Sequence, residues 1–300
     1  MTTRRFAQID VFTTRAGYGN AVAVVFDADD LDSAAMQRFA AWTNLSETTF
    51  ILAPTSTADF RLRIFTPRQE LPFAGHPTVG TTYALLDARA DLAGRNTLTL
   101  ECAAGLLPVR IEGRGAQRRI FVQAPRATLG TPMPALRGQF AEALGVTPKG
   151  DPAPCIVDNG PFWLIGELGD AAAVRSLQPD LARIAALTTQ HAAVGLCVFG
   201  REKAGDAALA VRAFCPADGI PEDPVTGSAN AAIGAFLHAA GALDSIGHCY
   251  RASQGREVGR DGMVDVEVDP RSGVVAIGGH CVSCIVGEVR WGESTKGQCA

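Results

Sequence analysis

The chain has no concentration of basic charge. Its 300 residues carry 27 Lys and Arg against 31 Asp and Glu, a formal charge of −4. No basic cluster is longer than a pair such as Arg118-Arg119. Binding nucleic-acid phosphates needs a basic patch or stripe, so that class of partner is excluded. A small anionic ligand stays open, because local donors rather than net charge would hold it. No apolar run approaches the ~20 residues that span a bilayer. The opening Met1-Thr-Thr-Arg-Arg-Phe6 leads into a polar-interrupted strand and not into the apolar core of a secretion signal. We therefore expect a cytoplasmic protein with no membrane segment.

Several chemical signatures are also missing. There is no Gly-x-Ser-x-Gly elbow and no lysine-bearing phosphate loop. Gly17-Tyr-Gly-Asn20 lacks the third glycine and the following helix of a dinucleotide fingerprint. His191, His238, His248 and His280 lack metal-ligand spacing. The eight cysteines, at 102, 155, 197, 215, 249, 281, 284 and 299, read as reduced thiols in a chain without a secretion signal. Cys281-Val-Ser-Cys284 has no second pair to complete a zinc site. Its segment reads as a strand, in which positions three apart face opposite ways. No metal is expected.

What is present describes a folded, two-domain chain. Hydrophobic residues make up 47% and charged residues 19%, a globular balance, and the length suits two cores rather than one. Gln8–Phe12, Ala21–Phe26, Thr49–Leu52 and Asp59–Phe65 read as strands. Asp32 or Ser33 is placed to cap a helix that puts Met36, Phe39, Ala40 and Thr43 on one face and runs out near Asn44. Pro77 suits the first turn of a second helix, whose stripe Val79, Thr82, Tyr83 and Leu86 carries almost no charge and predicts burial. Beyond a Pro-rich stretch from Pro125 to Pro134, helices are expected near Ala135–Leu144, Ala171–Thr188 and Ser228–Ala240. Strands are expected near Phe162–Ile165, Val194–Phe199, Ala208–Phe214, Val264–Val268, Val274–Ile277 and Val282–Val286. The expected lobes are 1–125 and 126–300, with a terminal strand able to pack back on the first.

The halves repeat one another. Arg63-Ile-Phe-Thr-Pro67 matches Arg212-Ala-Phe-Cys-Pro216 about half a chain later. Each is followed by an acidic loop and a glycine-containing lead into a buried helix, Gly75-His76 and Gly227-Ser228. Small-residue turns come later in both, Cys102-Ala-Ala-Gly105 and Ser253-Gln-Gly255. A helix start presents unpaired N–H groups and partial positive charge, and glycine lets a ligand approach closely. Such a start binds a carboxylate or phosphate without Lys or Arg. Glycines there also serve packing alone, and Asp223-Pro-Val-Thr-Gly-Ser228 also reads as a self-satisfied turn. Proton chemistry needs an acid or base nearby, for which His76, Asp223, Ser228 and Glu47 are the candidates.

Together these motifs resemble the PhzF-like phenazine-biosynthesis family. The matching stretches are Asp10-Val-Phe-Thr13, Gly19-Asn20, Asn44-Leu-Ser-Glu-Thr48, Arg63–Pro67, Glu70-Leu-Pro-Phe-Ala-Gly-His-Pro-Thr78, Glu222–Ser228 and Gln254-Gly255. The resemblance implies a diaminopimelate epimerase-like α/β (α+β) fold: two pseudo-symmetric lobes, each a curled, mostly antiparallel sheet around a central helix, with the active site between them. It implies a homodimer that needs no cofactor and takes a small carboxylate. The best-known member isomerises trans-2,3-dihydro-3-hydroxyanthranilate. By that resemblance Glu47 is the base, His76 and Asp223 support the transfer, and Gly75, Gly227 and Ser228 hold the substrate. Asn20 and Gln254 shape the pocket. Ala21 and Cys215 depart from the family pattern without removing any of these residues. Two other functions compete: a two-thiol amino-acid racemase or epimerase, and a non-catalytic small-acid binding protein. The racemase needs a cysteine at the start of each buried helix, where this chain has His76 and Ser228.

Overall fold

The computed structural model describes residues 2–203 and 205–292. They fall into two compact units, one within Met1–Val122 and His280–Ala300, the other Gln123–Gly279. Each is a curled, mostly antiparallel sheet around one central helix.

The first unit runs β1 (Thr2–Val11), β2 (Asn20–Val25), α1 (Ser33–Thr43), β3 (Glu47–Leu52), β4 (Phe60–Phe65), β5 (Glu70–Leu71), α2 (Gly75–Ala88), β6 (Thr97–Cys102), β7 (Gly105–Glu112) and β8 (Arg119–Gln123). Asp32 caps α1 by accepting from the Ala35 N–H at 2.7 Å. Asn44 ends it in the left-handed conformation, φ 54°, which asparagine tolerates better than most residues. That turn delivers Glu47 to the first position of β3. Strand alternation then sorts the side chains. Thr48 meets Thr43 of α1 at 3.0 Å, and Phe50 joins the core beneath Met36 and Phe39. Thr49 faces the other way and meets Thr81 of α2 at 2.8 Å, so Glu47, two residues earlier, also faces α2.

Helix α2 is buried along nearly its whole length, as its uncharged stripe predicts. Gly80 sets how closely it approaches the sheet. A Cβ there would lie 2.5 Å from Val22 and 2.7 Å from Val11, closer than side-chain carbons tolerate. His76 lies four residues earlier on the same face of the helix.

The second unit contains β9 (Thr128–Leu129), α3 (Leu136–Leu144), β10 (Cys155–Asp158), β11 (Phe162–Asp170), α4 (Ala171–Arg175), α5 (Leu181–Gln190), β12 (Gly195–Arg201), β13 (Leu209–Cys215), β14 (Ile220–Asp223), α6 (Gly227–Ala239), β15 (Cys249–Gln254), β16 (Gly262–Val268) and β17 (Val275–Gly279). The single helix expected over Ala171–Thr188 is two. Pro179 bars a continuous helix, and Asp180 caps α5 by accepting from the Arg183 N–H at 3.1 Å. Helix α6 is the buried central helix and packs on β16 and β17.

Strand β18 (Cys281–Trp291) returns to the first unit and pairs with β1 along its length. It outruns the expected Val282–Val286 because residues 284–288 are all exposed and so show no alternation. Cys281 is buried and Cys284 exposed, the opposite facing expected of a strand. Cys299 lies outside the described residues.

The pairing diagrams of the two units coincide. In the first, β1–β2, β3–β4, β4–β5 and β6–β7 are antiparallel, while β2–β3 and β4–β6 are parallel. In the second, β10–β11, β12–β13, β13–β14 and β15–β16 are antiparallel, while β11–β12 and β13–β15 are parallel. The repeated arginines also do the same thing twice. Arg63 makes a two-pronged ion pair with Glu70 at 2.7 and 2.6 Å and lies over Phe65. Arg212 pairs with Glu222 at 2.9 and 2.7 Å and lies over Phe214. Each pair clamps a long strand to the short strand that leads into the central helix. No helix of the described chain is long and apolar enough to cross a membrane.

Candidate active site

In the first unit, the start of β3 and the start of α2 bring Glu47 and His76 together. Glu47 Oε2 lies 3.5 Å from His76 Nδ1, with only 17% and 8% of the two side chains exposed. Burial pushes the Glu47 carboxyl up to about 7, against a smaller opposing effect of the Ser46 hydroxyl. The proton on that hydroxyl has two takers, because Ser46 Oγ also lies 3.3 Å from Asn20 Oδ1. A carboxyl titrating near neutrality is populated both as acid and as base. Asn20 is itself buried at the first position of β2. The turn before it is held by Asp10, which accepts from the Gly17 and Gly19 N–H groups at 2.7 and 3.0 Å. Ser46 and Asp10 stand within the sequence motifs, but no spacing or pattern there assigns them these tasks.

Gly75 is the first residue of α2, and the residue before it, Ala74, provides no side-chain cap. The same holds for Gly227 at the start of α6, for a different reason. Thr226 is of a type that caps, but its hydroxyl donates to Asp223 Oδ2 at 2.5 Å and accepts from Gln254 Nε2 at 2.9 Å. Both helix starts therefore present first-turn N–H groups that no side chain caps, the arrangement that favours an anion.

The start of α6 rests on a buried amide network. Gln254, fully buried, donates to the Asp223 carbonyl at 2.9 Å as well as to Thr226. Its Oε1 accepts from the Thr226 N–H and from Asn230 Nδ2, both at 3.0 Å. All four hydrogen-bonding positions of the amide are thus used inside the fold, so Gln254 holds the Asp223–Ser228 turn in place. Ser228 is half-buried and accepts from Trp163 Nε1 at 3.2 Å, while its carbonyl accepts from Asn159 Nδ2 at 2.8 Å. Neither Trp163 nor Asn159 stood out in the sequence.

The duplicated registers show what stands opposite Glu47 in the second copy. In the first unit Glu47 is opposite Val22, and its neighbour Thr48 is opposite Phe65. In the second unit Gly195 is opposite Trp163, and its neighbour Leu196 is opposite Phe214. Phe65 and Phe214 are the matched phenylalanines of the repeat, so Gly195 is the counterpart of Glu47. Likewise His76 and Ser228 are each the second residue of their helix. The carboxylate–imidazole pair of one copy is a glycine and a hydroxyl in the other.

Among the described residues, no group of three His, Cys, Asp or Glu side chains is placed to hold a metal ion. Neither central helix carries a cysteine in its first turn. Burial raises the thiols of Cys155, to about 11, and of Cys197 and Cys281, which makes them poor nucleophiles.

The chain is similar to known proteins over most of its length. The family described as phenazine biosynthesis-like protein matches residues 9–287. Antisense-enhancing sequence 1 of Schizosaccharomyces pombe is 35% identical, covering 96% of this chain and 99% of that one. Trans-2,3-dihydro-3-hydroxyanthranilate isomerase of Pseudomonas chlororaphis is 35% identical, covering 88% and 90%. A PhzF-family phenazine biosynthesis protein from Bacillus anthracis superposes with a TM-score of 0.83 at 26% identity, covering 97% of this chain and all of that one. A hydroxyproline epimerase from Agrobacterium vitis shares the fold, with a TM-score of 0.65 at 14% identity over 96% and 91% of the two chains.

Proposed function

Because the chain belongs to the phenazine biosynthesis-like family of isomerases, we propose that it moves a proton between two carbons of a small carboxylic acid, with Glu47 as the proton carrier. The observation that carries this reading is a shielded carboxyl pushed up to about 7 and set 3.5 Å from a buried imidazole. As carboxylate, Glu47 takes a proton from one carbon, and the electrons of that bond enter the conjugated system of the substrate. As carboxylic acid, it returns the proton to another carbon. The step balances with no electron acceptor, so no redox cofactor is called for. His76 steadies the charge of the carboxylate phase, and Asn20 with Ser46 orients the carboxyl. Each helix start, at Gly75 and at Gly227-Ser228, offers N–H donors suited to an acid group. Asp223, bound to Thr226, supports the second of them.

Relatives support the choice of test substrate. Isomerases from three Pseudomonas species, named for trans-2,3-dihydro-3-hydroxyanthranilate, are 35–36% identical to this chain. The test is to supply that compound in deuterated water and compare the wild type with Glu47→Gln. The wild type is expected to isomerise it and to place solvent deuterium on the ring. The variant is expected to lose roughly 10²–10⁴-fold in rate, the usual contribution of a positioned acid–base group. Turnover and label uptake unchanged in Glu47→Gln would overturn the assignment.

A further inference from the structure

We propose that Trp163 is a positioning residue: its indole N–H occupies the acceptor side of Ser228 Oγ and commits the serine hydroxyl to donate to the carboxylate of the ligand. The proposal rests on the carboxylate-binding reading given above and adds the residue that sets the direction of the donor.

The chemistry is one-sided. An indole nitrogen only donates, whereas a serine hydroxyl donates and accepts. With Trp163 Nε1 3.2 Å from Ser228 Oγ, the oxygen must accept, and its own proton points elsewhere. No described residue accepts that proton. The donor is therefore held ready beside the first-turn N–H groups of α6, which no side chain caps. The carbonyl of the same serine is pinned by Asn159 Nδ2 at 2.8 Å, so the residue is fixed at both ends.

The duplication explains how the indole came to sit there. A Cβ on Gly195 would lie 2.5 Å from the Trp163 ring, 2.7 Å from Cys215 Sγ and 2.7 Å from the Phe214 carbonyl oxygen. Trp163 and Cys215 thus fill, in the second copy, the space into which Glu47 projects in the first. Trp163 is 2% exposed, so the ring is held by packing as well as by its one hydrogen bond. The copy that lacks the base uses the vacated volume to aim a donor. The first copy carries the carboxylate–imidazole pair and the second an aimed hydroxyl.

The experiment is calorimetric titration of the full chain with 2-aminobenzoate and with its neutral counterpart 2-aminobenzamide. Trp163→Phe, which keeps the ring and loses the N–H, is expected to weaken the acid about fivefold and the amide less, because its neutral carbonyl accepts more weakly than a carboxylate. Ser228→Ala is expected to weaken the acid about tenfold. Without the Ser228 hydroxyl the indole has nothing to orient, so the double variant is expected to match Ser228→Ala alone. In labelled protein, the Trp163 Nε1–H resonance is expected to move in Ser228→Ala. An equal loss for acid and amide, a Trp163→Phe loss that persists in the Ser228→Ala background, or no saturable binding of 2-aminobenzoate by the wild type would overturn the proposal. The isotope experiment on Glu47 is independent of all three outcomes, so a failure here is distinguishable from a failure of the proton-transfer reading.

Discussion

Glu47 is the residue on which strand, helix and chemistry converge, and its buried position has a cost that can be measured. Its carboxyl stands at about 7 in the folded chain against an ordinary value of 4.5. Between those two values the folded protein holds a proton that the unfolded chain releases. The unfolded state binds fewer protons there, so stability falls as pH rises through the window, and the loss is complete above pH 7. Glu47→Gln removes the charge and with it this loss. The variant is expected to be more stable than the wild type at pH 8 by roughly 3 kcal/mol, and to show little of that advantage at pH 4. Urea unfolding at the two pH values checks it, and an advantage independent of pH would mean that burial does not hold the proton on Glu47. The identity of Glu47 was legible in Asn44-Leu-Ser-Glu-Thr48 only through the family resemblance. A glutamate at a helix–strand junction is ordinarily solvated. What shields this one is the α2 face of β3, a tertiary fact.

At the scale of elements, the two arginine clamps make a matched pair in different surroundings. The Arg212 and Glu222 side chains are 6% and 7% exposed, and Arg212 also donates to the Leu177 carbonyl at 2.9 Å. The Arg63 and Glu70 side chains are 20% and 36% exposed. Removing one partner of a buried pair strands the other charge, whereas a wetter pair is screened. Arg212→Met is therefore expected to cost roughly 3–5 kcal/mol, and Arg63→Met at most about 1 kcal/mol, by chemical unfolding. Equal losses would show that the difference in burial does not set their worth. The Arg-x-Phe-x-Pro repeat was readable because it is local and keeps its order. The break between α4 and α5 was also written in the sequence, as Pro179 followed by the capping Asp180, but the apolar periodicity on either side concealed it. The short strands β5 and β14, two and four residues long, leave too little alternation to read. Their existence follows from the arginine clamps.

At the scale of the whole molecule, the two copies share a scaffold but not the carboxylate–imidazole pair. The absence of a Glu47 counterpart could be suspected from the sequence, but naming Gly195 could not. The offset between halves changes by one residue between the arginine motif and β3, and only sheet register fixes it. The Trp163–Ser228 contact spans 65 residues, beyond any local pattern. The division also separates this chain from a symmetric two-thiol enzyme. Cys249 and Cys284 are exposed while Cys155, Cys197, Cys215 and Cys281 are buried. Mild alkylation is expected to label the first two, located by peptide mapping, and to leave isomerisation intact. Loss of activity in step with labelling would return the thiols to the mechanism.

In the proposed reaction one shielded carboxyl carries the proton from carbon to carbon. The most direct measurement uses substrate deuterated at the carbon that loses its proton, in ordinary water, within a single turnover. With Glu47 only 17% exposed, part of the deuterium is expected to reappear at the new position in the same molecule. Intramolecular deuterium transfer that persists at the wild-type level in Glu47→Gln would contradict Glu47 as the carrier, because the label would then travel on another group.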